Sequence, residues 1–150
     1  MKTPESTPAA QPYQPPPPLS PSDERTWAML GHLSALLNLV TGFLGPVAAV
    51  IIYMVFKDRS RYVAYQSLQS FLFQLIAWLG GGLLTGAAWA VTGALSAIIV
   101  GLLCIPIAIL VSLIPVAALI YAVIGGIQCS QGQDFRYWLV GDWVRGTLAG

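Results

Sequence analysis

The sequence predicts an all-α integral membrane protein, with about four transmembrane or membrane-embedded helices arranged as two hairpins behind a disordered, proline-rich N-terminal tail. Three observations predict it. The chain is 56% hydrophobic and only 9% charged, whereas a soluble domain carries roughly 25% charged residues to meet water. Thr26–Phe56 and Tyr62–Gln133 contain no Asp, Glu, Lys or Arg at all. Between them stands one charged stretch that opens Lys57–Asp58–Arg59–Ser60–Arg61. Such a chain cannot cover a soluble globule with charge, so lipid must solvate much of its surface.

At 150 residues the chain fits a single domain. It divides into a tail (1–22), a helical membrane domain (23–138) and an interfacial C-terminal segment (139–150). In the tail, proline stands at 4, 8, 12, 15, 16, 17, 18 and 21. Proline lacks the backbone donor and fixes φ, so neither helix nor sheet is available. The run Tyr13–Gln14–Pro15–Pro16–Pro17–Pro18–Leu19 favours polyproline II. It reads either as a soluble, disordered tail or as a ligand for a proline-binding partner. No apolar signal segment precedes residue 27, so insertion is expected to use an internal helix.

The first helix is expected near Ser22–Asp23–Glu24–Arg25, with Ser22 as N-cap and the two acids at the positive end of the helix dipole. Residues 26–56 then allow two arrangements. One helix over these 31 residues would be about 46 Å long, against a hydrocarbon layer of about 30 Å. A hairpin turning at Thr41–Gly42 gives arms of about 21–22 Å, somewhat short of the layer. The next helix should start in the charged stretch and run to about Trp89, weakened at Gly80–Gly81–Gly82, with a turn at Thr92–Gly93. A last block from about Leu95 to Gln128 contains Pro106 and Pro115, each removing a ladder bond and kinking the helix.

Charge decides between these topologies. Basic residues are retained on the cytoplasmic side. With two hairpins, Lys2, Arg25, Lys57, Arg59, Arg61, Arg136 and Arg145 all fall on one side, and the opposite turns near Thr41 and Thr92 carry no charge. Four crossings with both termini cytoplasmic are therefore expected, with three crossings as the alternative. The mixed segment Gly132–Arg145 combines Trp and Tyr with Arg and reads as an interfacial anchor. Small residues recur at four-residue spacing in Gly82/Gly86/Ala90, Gly93/Ala97/Gly101 and Ala118/Ala122/Gly126, faces that permit close helix approach within one subunit or between two.

The phrase Asp23–Glu24–Arg25–Thr26–Trp27–Ala28–Met29–Leu30–Gly31–His32–Leu33–Ser34, followed by Gly45–Pro46 and by Lys57 through Ser70, resembles the bacterial Tic-twenty-like membrane proteins. These are similar to a channel-associated component of the chloroplast inner-envelope protein-import machinery. The resemblance covers roughly residues 23–138 and implies a four-helix membrane fold. It also implies a structural or translocation-associated subunit of a membrane complex.

Few residues suggest chemistry. His32 is the sole histidine, and intramembrane ionisable groups are functional candidates by default. With Asn38 and the helical stripe Gln66, Gln69 and Gln74, it could line a polar path for a small solute. The same side chains could instead tie helices together. Lys57, Arg59 and Arg61 form a topogenic cluster able to meet anionic headgroups. Cys104 and Cys129 form no CxxC and are expected as free thiols. No nucleophile–base pair, metal-ligand spacing or cofactor motif is present, so an enzyme is not expected. The formal charge of +1 gives no footprint for nucleic acid. Expected partners are the lipid bilayer, further copies or other membrane subunits, and a proline-binding protein at the tail.

Overall fold

The computed structural model describes residues 16–149. Tail residues 1–15, including the start of the polyproline run and part of the expected site for a proline-binding partner, lie outside the described residues. The first helix, α1, spans Pro21–Leu33. Its N-cap is Ser20, whose hydroxyl accepts from the Asp23 N–H at 3.2 Å. The cap therefore sits two residues before the expected Ser22, because Pro21 needs no N–H in the first turn and favours that position.

A short 3-10 turn, Ser34–Leu36, leads into α2, Leu37–Thr41. Gly42 then adopts φ +79°, a left-handed conformation that glycine takes without penalty. The Thr41 hydroxyl donates to the Leu37 carbonyl and accepts from the Leu44 N–H, so it closes one helix and opens the next. The next helix, α3, spans Leu44–Phe56. Pro46 falls in its first turn, where a missing donor costs nothing. Residues 26–56 are thus a hairpin, and α3, at 13 residues, is only about 20 Å long.

Ser60 caps α4, Arg61–Gln74, and its hydroxyl also donates to Glu24 at 2.5 Å. A π-helical segment, Leu75–Gly80, joins α4 to α5, Gly81–Ser96, without a break. The expected interruption at Gly80–Gly82 is therefore a local widening. The expected turn at Thr92–Gly93 is absent as well. Thr92 Oγ1 donates to the Ala88 carbonyl and Ser96 Oγ to the Thr92 carbonyl, both at 2.8 Å, so these polar side chains are satisfied inside the helix. The reversal comes at 97–99, where Ile99 holds φ +67°. Its N–H groups bond inward, from Ile98 to Leu95, Ile99 to Ser96 and Val100 to Ile98.

The last long helix, α6, spans Val100–Ser130 and runs through both Pro106 and Pro115. Pro115 frees the Val111 carbonyl one turn earlier, and Thr85 Oγ1 on α5 lies 3.5 Å from it. A threonine on a neighbouring helix thus helps a proline persist in an apolar span. Gly81 makes the close approach possible: a Cβ there would meet Ile114 at 3.3 Å and Pro115 at 3.6 Å. Gly132, at φ +77°, ends α6. Its N–H bonds to Cys129 and that of Gln133 to Gln128, the paired pattern of a glycine-terminated helix.

Residues 133–140 form a strap without regular secondary structure that ends in a turn at 138–140, and α7, Gly141–Ala149, closes the chain. Phe135 and Tyr137 point inward and are buried, while Trp138 is 78% exposed. Over 135–138 buried and exposed residues alternate, the period an extended backbone imposes, before the turn at 138–140. The expected interfacial anchor is thus divided. Its Trp138 and Trp143 face outward, but Phe135, Tyr137, Val140 and Val144 are core.

Two helical stretches, Arg61–Ser96 and Val100–Ser130, are long and apolar enough to cross a membrane. Only 6% of the most apolar window of the second is buried inside the molecule, so it is not the core helix of a soluble protein. Of the expected four crossings these two are supported by length and composition; in the first hairpin α3, at 13 residues, is short for the layer, and the arm formed by α1 and α2 opens on the charged Asp23 and Glu24. α4 packs along its length against α1 and α3, α6 packs against α1 around Gly125 and Gly126, and α5 packs chiefly on α6. The molecule therefore has a four-helix end and a two-helix end.

Candidate functional site

The core of the four-helix end is polar. His32, Gln66, Gln69 and Ser70 are fully buried, and Asn38 and Gln74 nearly so. Burying such groups is costly unless they are hydrogen-bonded, and the structure bonds them to one another. Gln66 Nε2 donates to the Phe135 carbonyl at 3.1 Å and to Asp134 Oδ1 at 3.0 Å. That fixes its amide orientation and turns Oε1 toward His32. An amide oxygen only accepts, so His32 Nε2 must carry the proton and donate, at 2.9 Å. In a neutral imidazole Nδ1 then accepts, and the Tyr137 hydroxyl donates to it at 3.0 Å. Burial pushes the Tyr137 phenol well above its usual range, which keeps it a donor.

Gln69 completes this cluster. Its Nε2 donates to Gln66 Oε1 at 2.5 Å and to the Phe135 carbonyl at 2.8 Å, while its Oε1 accepts from the Tyr137 N–H at 3.2 Å. One helix turn deeper lies a second cluster. Gln74 Nε2 donates to the hydroxyls of Ser34 and Ser70, both at 3.0 Å, and each of those donates to the Gly31 carbonyl. Asn38 Nδ2 donates to Gln74 Oε1 at 3.3 Å, and Asn38 Oδ1 accepts from the Gly45 N–H at the start of α3. The Ser67 hydroxyl, packed under Gly31, is buried without a partner.

Aromatic rings seal the clusters. Phe73 stacks on Tyr137 with centroids 4.0 Å apart, and Tyr121 and Phe135 meet Tyr137 edge-on. Small residues give them room: a Cβ on Gly125 would lie 2.7 Å from the Phe135 ring and 3.1 Å from His32 Nδ1. The stripe Ala118/Ala122/Gly126 lies on this half of α6, with Gly126 against Leu33 of α1. Gly101 sits tight against the end of α5, whereas a Cβ on Gly82, Gly86 or Gly93 would meet nothing within 4 Å.

The structure thus brings His32, Asn38, Gln66, Gln69 and Gln74 together, each bonded to at least one of the others. Sequence reasoning missed Tyr137, the Phe135 carbonyl, Asp134 and Ser34. Ser70 lies four residues before Gln74 on the same polar helical face and joins the cluster as that spacing allows. The strap gave no such signal, because a backbone carbonyl carries no sequence signature. A cleft beside Asn38 and Gln74 measures about 10 Å³, room for one water at most.

Lys57, Arg59 and Arg61 line an open cleft of about 490 Å³ at the loop between α3 and α4. Arg59 Nε donates to the Pro17 carbonyl at 3.1 Å, and Arg61 donates to the Leu148 carbonyl at 2.7 Å, near the C-terminal end of α7. Both ends of the described chain therefore meet this loop. Arg145 pairs with Asp134 and lies over the Tyr65 ring at 4.5 Å. Tyr65 and then Asp134 hold its guanidinium above the usual range. Arg136 pairs with Asp142 at 2.8 Å. Among the described residues no three His, Cys, Asp or Glu side chains converge as metal ligands, and Cys104 and Cys129 are free.

No curated protein and no solved structure matches the chain. A family model does, over residues 23–144, and it corrects the Tic-twenty-like resemblance. The phrases that carried that resemblance lie on α1 and α4, where Ala28, Gly31, His32, Gln66, Gln69 and Ser70 are buried between helices. They specify how two helices pack, which does not identify a role. The match covers most of the chain: this membrane protein belongs to the magnetosome magnetite crystal formation protein family, MamF/MmsF.

Proposed function

We propose that the protein is a non-enzymatic structural subunit of the magnetosome membrane, which serves magnetite crystal formation by presenting a fixed surface at one face of the bilayer. The observation that carries this reading is the closed hydrogen-bond network. His32, Gln66, Gln69 and the strap carbonyl of Phe135 satisfy one another and lock residues 133–140 onto the bundle. Side chains committed in this way hold a shape. A solute path would need donors and acceptors left free toward an open channel.

In this reading both termini face the cytoplasm, supported by the gathering of Arg59, Arg61, Arg145 and both ends of the described residues at one end of the molecule. Lys57, Arg59 and Arg61 face the headgroups there. Further copies or other membrane subunits are the expected partners, and residues 1–22 a site for a soluble one.

Two measurements in parallel test the reading. In a magnetite-forming bacterium that carries this protein, its removal should change crystal size or number in electron micrographs. Purified protein in vesicles should add no proton or ferrous-ion flux over empty vesicles. Flux that disappears in His32→Ala or Gln66→Leu would establish the solute-path alternative and overturn the structural one.

A further inference from the structure

The two hairpins reach different depths. Trp78 Nε1 donates to the Gly42 carbonyl at 2.6 Å, which fixes the tip of the first hairpin at the level of the π segment. From Arg61 to Trp78 the second hairpin shares its depth with α1 and α3. Beyond Trp78 it continues to Ser96 with only α6 beside it, for about 27 Å at 1.5 Å per residue. Arg61–Trp78 is itself about 26 Å long, so with the overhang the second hairpin exceeds a hydrocarbon layer of about 30 Å; tilted, it matches a bilayer of about 40–45 Å with its headgroup regions, and the tip of the first hairpin then lies near the midplane.

What surrounds the overhang is set by its surface. Leu83, Leu84, Ile98, Ile99, Leu103 and Leu110 are all exposed there. The backbone donors of its turn are satisfied internally, so the tip needs no water. The occupant of this surface is lipid acyl chain. At the other end, Trp27 against Phe56, with centroids 4.6 Å apart, and the Lys57–Arg61 loop mark the headgroup level.

We infer that the molecule is a wedge fitted to curved membrane: four helices and the strap occupy the leaflet on the tail side, two helices occupy the other, and the protein prefers bilayers whose tail-side leaflet is convex. The difference is two helix cross-sections, each about 10 Å wide with side chains. Lipid on the tail side is displaced that much more than lipid opposite, and bending toward the narrow end relieves the mismatch. The inference rests on both hairpins being embedded in lipid and is independent of any role in crystal formation.

The test uses the full chain, purified in detergent and reconstituted together into small sonicated and large extruded vesicles of one phosphatidylcholine–phosphatidylglycerol composition. The expected result is a several-fold higher protein-to-lipid ratio in the small vesicles, with the tail accessible to added protease there. Equal ratios would overturn the wedge, as would enrichment in small vesicles with the tail protected inside. Equal ratios together with crosslinked dimers would replace it by a paired overhang, in which a second copy fills the narrow half. Protein that fails to float with either vesicle class would overturn the embedding itself.

Discussion

Gln66 is the residue on which the polar core turns. Its amide nitrogen anchors the strap and its oxygen accepts from two buried donors, so no apolar residue of similar size can replace it. Gln66→Leu leaves His32 Nε2 and one N–H of Gln69 as donors without their acceptor, while the Phe135 carbonyl keeps its bond from Gln69. Each orphaned buried group costs about 1–3 kcal/mol, so a loss of about 2–4 kcal/mol is expected. Thermal unfolding in detergent micelles measures it, and a variant as stable as the parent would refute the network's role. Ile99 presents the opposite case. A β-branched residue at φ +67° carries roughly 1–2 kcal/mol of strain that glycine does not. Ile99→Gly should therefore raise the unfolding temperature, with a gain of about 1 kcal/mol after the added freedom of the unfolded chain. A lower unfolding temperature would show that the turn is not left-handed.

Among the elements, the strap and the π segment do what their sequences conceal. The strap is charged and aromatic, a composition that suits an interface, yet Phe135 and Tyr137 enter the core and the Phe135 carbonyl holds both Gln66 and Gln69. The π segment widens the helix beside the Trp78 tether. Trp78→Phe keeps the ring and deletes the bond to Gly42, a loss of about 1 kcal/mol. Hydrogen exchange at Val40–Phe43 should rise in that variant while exchange within α1 stays unchanged. A uniform rise across both would place the tether in the global core instead. Gly125→Leu would drive a side chain into Phe135 and His32. Overpacking of this kind costs about 1–3 kcal/mol or more, and faster proteolysis within 133–140 should report it; an unchanged rate would mean that the strap does not rest on Gly125.

At the scale of the molecule, depth is the open variable, and thiol labelling reads it. In a Cys104→Ser, Cys129→Ser background, Asp58→Cys should react with a membrane-impermeant maleimide added on the tail side. Val40→Cys, 88% exposed in the structure but at the tip of the short hairpin, should react from neither side. Reaction of Val40→Cys from the side opposite Asp58→Cys would mean that the first hairpin crosses the whole layer, and the wedge would fall with it.

Residence in a membrane, helical structure, and the gathering of basic residues at one end were legible in the chain, because solvation by lipid acts on composition. A scarcity of charge over 26–56 and 62–133 needs no partner to be interpreted. The hairpin at Gly42 was legible too, since a glycine after a threonine marks a helix end. Turn positions deeper in the apolar blocks were not. Thr92 and Gly93 would end a helix in water, but their surroundings keep the helix intact through bonds from Thr92 and Ser96 to the preceding turn. The glutamine stripe could be seen, but not what it holds. Its partners include a backbone carbonyl more than sixty residues away and a histidine whose tautomer follows from that contact. Long-range hydrogen bonds depend on where the chain returns, and that return through the strap is set by packing around Gly125 and Tyr137, which local sequence pattern does not encode.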